Sequence, residues 1–139
     1  MIVPDIFYVE DDQDFAFLMK YALKEVESKL TINIISEGNE ALNFLIQMTE
    51  GHQRPRLILL DLNLPGLSGM DILKRIRDMP LMKYTPVILF TTSDNPKDIK
   101  ASMEFGANAY VIKPIGYTNL ITCLRSIYEF WFKTNAHLN

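Results

Sequence analysis

Five short apolar runs mark the chain: Ile6 to Val9, Ile32 to Ile35, Leu57 to Leu60, Val87 to Phe90 and Tyr110 to Ile112. Runs of three or four Val, Ile, Leu, Phe or Tyr residues, interrupted only by Asn33 in the second, suit strands covered on both faces, as in a parallel sheet. Between them the period lengthens to that of a helix. Phe15, Leu18, Met19, Ala22 and Val26 fall at i, i+3, i+4, i+7 and i+11. Ala41, Phe44, Leu45 and Met48 repeat the pattern, as do Gly69, Ile72, Leu73 and Ile76. Ile99, Ser102 and Met103 form a weaker version behind Asn95, a cap, and Pro96 at the first helical position. Leu120, Ile121, Leu124, Ile127, Tyr128 and Trp131 form the last stripe. Strands alternating with helices predict a parallel α/β sandwich with right-handed crossovers. One loop, near Glu50 to Pro55, is long.

Composition narrows the class. At 139 residues the chain is the length of one domain, expected to hold a core over about 4–133 with no effector domain. Fourteen Lys plus Arg against seventeen Asp plus Glu leave a net charge of −3, which argues against nucleic-acid and anionic-membrane partners. Cys123 is the single cysteine, so neither an intrachain disulfide nor a Cys-rich metal site is expected. The N-terminal segment lacks a basic n-region, and no apolar stretch has the length of a membrane span. A reduced, cytoplasmic setting is expected.

The chemistry lies where strands stop. The first run leads into Glu10, Asp11 and Asp12, the third into Asp61 and Asn63, the fourth into Thr91, Thr92 and Ser93, and the fifth into Lys113-Pro114. In an open parallel sheet all strand C-termini share one edge, so residues some fifty positions apart converge there. Two carboxylates about 4 Å apart repel by roughly 4 kcal/mol at an effective dielectric of 20. Glu10, Asp11 and Asp61 therefore need a proton or a cation. Lys113 neutralises one charge, and a hard divalent ion suits the rest. Mg²⁺ fits because it accepts one or two carboxylates, a carbonyl and several waters. A carboxylate so placed can attack phosphorus and form an aspartyl phosphate. Lys113 and the Thr91 hydroxyl supply donors for the developing phosphoryl charge. No Gly-x-x-x-x-Gly-Lys-[Ser/Thr] run is present, so the phosphoryl group is expected from another molecule rather than from bound ATP.

Four segments together resemble the receiver domains of two-component response regulators. They are Val9-Glu10-Asp11-Asp12, Asp61-Leu62-Asn63-Leu64-Pro65-Gly66, Pro86 through Thr92, and Gly106 through Pro114. The resemblance implies a doubly wound, flavodoxin-like fold with five helices and a five-stranded parallel sheet in the order 2-1-3-4-5. It implies that Asp61 is the phosphoacceptor, with Asp11, Asp61 and the Asn63 carbonyl binding Mg²⁺ and Glu10 acting through water. Lys113 would pair with the phosphoryl group across a cis Lys113–Pro114 bond. Thr91 and Tyr110 would form the switch pair. A sensor histidine kinase is the implied phosphoryl donor. The Asp61 to Pro65 stretch, the long loop before it and Tyr128 through Phe132 resemble a narrower group, the small single-domain regulators paired with phytochrome-type kinases. Two departures stand out. The Asp11–Asp61 spacing is long, with the excess in the Glu50–Pro55 loop, away from the site. Thr92 is bulky beside the switch hydroxyl and is expected to slow phosphoryl transfer.

Other positions read more simply. Asp12 is expected to cap the first helix, and His52 and His137 to be solvent-exposed without a role. Phe130, Trp131 and Phe132 are consecutive, and at about 100° per residue they cannot all face one core. With Trp131 on the inward stripe, Phe130 and Phe132 are expected to point outward, and Phe130, Trp131 and Phe132 are the candidates for a homodimer or partner interface. Two other functions compete. A haloacid-dehalogenase-type phosphatase also uses a strand-end aspartate, but Asn63 stands where its general acid would be and cannot donate and recover a proton. A phosphorylation-independent pseudo-receiver would be expected to lack one of Glu10, Asp11, Asp61, Thr91 or Lys113, and all five are present.

Overall fold

The computed structural model describes residues 2–136. Its strands are β1 (Ile6–Val9), β2 (Ile32–Ile35), β3 (Leu57–Leu60), β4 (Val87–Thr91) and β5 (Ala109–Ile112). The helices are α1 (Gln13–Val26), α2 (Gly38–Glu50), α3 (Gly69–Arg77), α4 (Pro96–Glu104) and α5 (Tyr117–Tyr128). All strand pairs are parallel, in the order β2-β1-β3-β4-β5. The expected strands and helices are all found.

Strand parity builds two cores. Phe7, Val9, Ile58, Leu60, Val87 and Leu89 meet Leu45 of α2 and Ile72 and Ile76 of α3. Ile6, Tyr8, Leu57, Leu59, Ile88 and Phe90 meet Met19 and Leu23 of α1 and Leu124 and Ile127 of α5. Within α1 the buried stripe is Met19, Ala22 and Leu23, and Leu18 is exposed, contrary to expectation. Apolar residues lie on several sides of this helix, so the period alone does not choose the inward face. Helix starts follow their caps. Asp12 accepts from the Asp14 and Phe15 amides at 3.0 and 3.1 Å, and Asn95 from Lys97 at 3.0 Å.

The chain's end departs from the expected helix. After Tyr128 it widens into a π-helical turn over Glu129–Thr134. Hydrogen bonds in such a turn run i→i+5, so successive side chains advance by less than the α-helical angle. Phe132, expected outside, is therefore buried; it stacks on Tyr128 at 5.8 Å, and the Arg56 guanidinium lies 4.4 Å from its ring centroid. Phe130 remains exposed, and Trp131 is half-buried against it, edge to face, at 4.9 Å.

Arg77, in the last turn of α3, ties that helix to the start of the β4–β5 pair. Its guanidinium donates to the Gly106, Met82, Lys83 and Thr85 carbonyls and to Asn108 Oδ1, at 2.8 to 3.2 Å. Asn108 Oδ1 in turn accepts from the Val87 amide at 2.9 Å, at the first residue of β4. Burial lowers the Arg77 pKa from its usual value.

Candidate functional site

Backbone pairing carries the sheet's register past the strand ends. Glu10 N–H donates to Ile35 O at 3.0 Å, Asp61 N–H to Val9 O at 3.1 Å, and Lys113 N–H to Thr91 O at 2.8 Å. Residues from four separate segments are thereby held at one edge. At Asp61 the fit is close. α3 begins so near β3 that a Cβ on Gly69 would stand 2.0 Å from the Asp61 carbonyl oxygen, so only glycine fits there. A capping box between Ser68 and Asp71 fixes the same helix start.

Lys113 Nζ lies 2.5 Å from Glu10 Oε1 and 2.8 Å from Asp61 Oδ2. Its aliphatic stem is nearly buried, and the ammonium sits 4.6 Å from the Phe15 ring centroid. Glu10 is wholly enclosed: Oε1 also accepts from the Tyr8 hydroxyl at 2.6 Å, and Oε2 accepts from the Asp12 amide at 3.2 Å. Asp61 is buried, with Oδ1 facing the Asn63 amide at 3.4 Å, whereas Asp11 is exposed. Ligand oxygens from Glu10, Asp11 and Asp61 lie within 4.8 Å of one another. Three carboxylates against one ammonium leave two negative charges in excess.

Protonation follows from this crowding. Burial raises the Glu10 pKa above the usual carboxylate value, opposed by hydrogen bonds from Lys113 and Tyr8. Burial works against the Lys113 ammonium, but Asp61 and Glu10 outweigh it, and its pKa is raised. Burial, reinforced by the neighbouring Glu10 and Asp61 charges, raises the Tyr8 phenol, which stays a neutral donor. A partly open, all-oxygen set with excess negative charge fits a hard divalent cation that keeps some of its waters.

Thr91 is fully buried at the end of β4, its Oγ1 facing the Ser93 amide at 3.4 Å. Tyr110 is half-buried on β5 and donates to the Ser93 carbonyl at 2.8 Å. The two expected switch residues thus meet the same short loop. Asn63 and Thr92 are exposed beside the site. One expectation is corrected: no cis peptide bond occurs among the described residues, so Lys113–Pro114 is trans. The trans form is intrinsically favoured by about 0.5–1 kcal/mol before proline, and within it Lys113 already reaches both carboxylates. His52 is exposed as expected, and His137 lies outside the described residues. Tyr8 was missed as a site residue because it reads as one more apolar strand position. The signal was its spacing: two residues before Glu10, it shares that residue's side of β1.

The family described as response regulator receiver domain matches residues 6–125. The chain belongs to that family. Response regulator Rcp1 of Synechocystis sp. is 37% identical over 131 residues, covering 93% of this chain and 89% of the relative. The crystal structure of the phosphorylated cyanobacterial phytochrome response regulator RcpA superposes with a TM-score of 0.87 at 34% identity, covering 97% of this chain and 98% of RcpA. The Mn²⁺-bound form of Rcp1 gives 0.84 at 34% identity, covering 98% and all of the respective chains. The fold is thus that of the CheY-type receivers. The protein is a two-component signalling domain rather than a conventional enzyme; receiver domains bind Mg²⁺ and are phosphorylated by histidine kinases. No helix among the described residues is long and apolar enough to cross a membrane.

Proposed function

We propose that this receiver accepts a phosphoryl group on Asp61 from a phosphohistidine of a sensor kinase, and signals by altering its partner-binding surface. The observation that carries the reading is the convergence of Asp61 with Lys113, Glu10 and Asp11 at one sheet edge. An Asp61 carboxylate oxygen forms a bond to phosphorus as the bond from phosphorus to the imidazole nitrogen breaks, and the electron pair leaves with the imidazole. Lys113 balances charge on the transferred phosphoryl oxygens, and the Thr91 hydroxyl is positioned to donate to one of them. Glu10, Asp11, Asp61 and the Asn63 carbonyl are the residues that would hold Mg²⁺. When bound, the ion supplies positive charge to the phosphoryl oxygens.

Once Thr91 turns toward the phosphoryl group, Tyr110 is free to leave the Ser93 carbonyl and rotate inward, repacking the surface of α4 and β5. The likeness to RcpA supports a phytochrome-type kinase as donor, and membership of the receiver family is consistent with a cytoplasmic setting. Phe130, with exposed Met103 and Ile112, supports an interface on the α4–β5–α5 side, either a homodimer or an output protein. The site also hydrolyses its own acyl phosphate. A phosphorylation-independent module gains no support, since every expected residue is in place.

Incubation with acetyl phosphate and Mg²⁺, read by intact mass, tests the reading. The wild type should gain one hydroxylamine-sensitive phosphoryl group and Asp61→Asn none. Undiminished labelling of the variant overturns the assignment.

A further inference from the structure

Tyr8 lies in the middle of β1, fully buried, with Phe90 edge-on at 6.0 Å and 78°. Packing alone would be met by phenylalanine. The hydroxyl is spent instead on the Glu10 carboxylate, through a 2.6 Å bond of charge-assisted length. Glu10 Oε1 thus meets two donors, the Tyr8 phenol and the Lys113 ammonium. Oε2 meets the Asp12 amide, and one oxygen of this carboxylate lies within 4.8 Å of ligand oxygens of Asp11 and Asp61. Lys113 has a second partner in Asp61, so its bond to Glu10 is shared. The phenol sits on a rigid ring in a packed strand and has no such competing partner among the described residues.

We propose that Tyr8 is a positioning residue of the metal centre, whose hydroxyl fixes the plane of the Glu10 carboxylate so that its second oxygen faces the cation. This rests on the reading of Glu10, Asp11 and Asp61 as the Mg²⁺ site. Carboxylate torsions are broad and intrinsically unselective, so the orientation must come from partners. Without the phenol, the carboxylate turns with Lys113 as Lys113 exchanges between Glu10 and Asp61. Outer hydrogen bonds of this kind typically change metal affinity about 10–100-fold.

The test is calorimetric titration of the full chain with Mg²⁺. Tyr8→Phe should weaken Mg²⁺ about tenfold, at the low end of that range. On a Glu10→Gln background the same change should have almost no effect, because Tyr8 acts through that carboxylate. Wild-type affinity in Tyr8→Phe, or equal losses on both backgrounds, overturns the proposal. Asp11→Ala separates the two readings. If it abolishes binding while Tyr8→Phe matches the wild type, the metal site stands and the role of Tyr8 falls. A wild type that binds no Mg²⁺ overturns both. Should Tyr8→Phe fail to fold, fluorotyrosine-labelled protein decides. The fluorine resonance displaced by Glu10→Gln should shift with Mg²⁺ along the calorimetric saturation curve, and one indifferent to Mg²⁺ overturns the proposal.

Discussion

Two partly buried cations, at either end of the sheet, are held in opposite ways. Lys113, at the C-terminal edge, is paired with two carboxylates. Arg77, where β4 and β5 begin, is paired with backbone carbonyls and one amide oxygen. Carboxylates titrate, bind metal and accept phosphoryl groups, so the ion pair around Lys113 can be exchanged for another. Carbonyls do none of these things. The planar guanidinium matches several of them at once and cannot release its proton. The first arrangement serves a site that changes state, the second a joint that must not. A single helix, α3, spans the two: it begins against Asp61 and ends with Arg77.

The sharpest test of this contrast is Lys113→Ala. Phosphotransfer to Asp61 should fall by about 100-fold or more, as when one preorganised electrostatic donor is lost. The fold should survive, because Glu10 can take a proton or Mg²⁺ can supply the missing charge. Stopped-flow phosphorylation and urea unfolding, each with and without Mg²⁺, check both halves. Arg77→Ala should do the reverse. No ionisable group can compensate for the orphaned carbonyls, so urea unfolding should show a loss of about 3 kcal/mol. Phosphorylation of the folded fraction should stay near the wild-type rate. Arg77→Lys should recover little, since an ammonium does not reproduce the fork.

Gly69→Ala probes the helix between them. Its Cβ would meet the Asp61 carbonyl oxygen at 2.0 Å, so α3 must back away. A stability loss of about 2 kcal/mol is expected from such overpacking, together with slower phosphorylation because Asp61 moves too. An unchanged rate would show that the close contact of α3 with Asp61 does not set the position of the phosphoacceptor.

The smallest effect is in pH dependence. Burial raises the Glu10 pKa above its usual 4.5, so folding favours the protonated form. The contribution of that group to stability is complete below the unfolded value and lost as pH rises through the folded one. In metal-free buffer, stability of the wild type relative to Glu10→Gln should therefore decline as pH rises above 4.5. The raised Lys113 pKa acts in the same sense only above its usual 10.5, outside this window. Between about pH 5 and 8 the Arg77→Ala deficit should be flat, since arginine stays charged throughout. Urea titrations at several pH values separate the two slopes.

The strands were legible because runs such as Leu57 to Leu60 are buried on both faces, and such burial leaves an unmistakable apolar signature. The site was legible for a related reason: Asp61 and Lys113 end such runs, and a parallel sheet gathers strand ends on one edge. What escaped detection depends on atoms or geometry that residue class does not encode. The Tyr8 hydroxyl is hidden in an apolar count. The acceptors of Arg77 are mostly carbonyls, which every residue carries. The inward Phe132 follows from a turn that abandons the α-helical angle on which the prediction rested. The isomer before Pro114 is a choice between near-equal states, with nothing in the local sequence to decide it.

That wide turn also sets how the molecule's edge can vary. An i→i+5 loop holds one residue more than an i→i+4 loop. Removing Glu129 would return the segment to α-helical phase with Phe132 three residues after Tyr128, still on the inward stripe, and would turn Phe130 around the outside of the helix. A single codon therefore redirects the outer ring while the inner ring and the phosphoacceptor edge keep their places, which lets a partner surface change while the chemistry stays put.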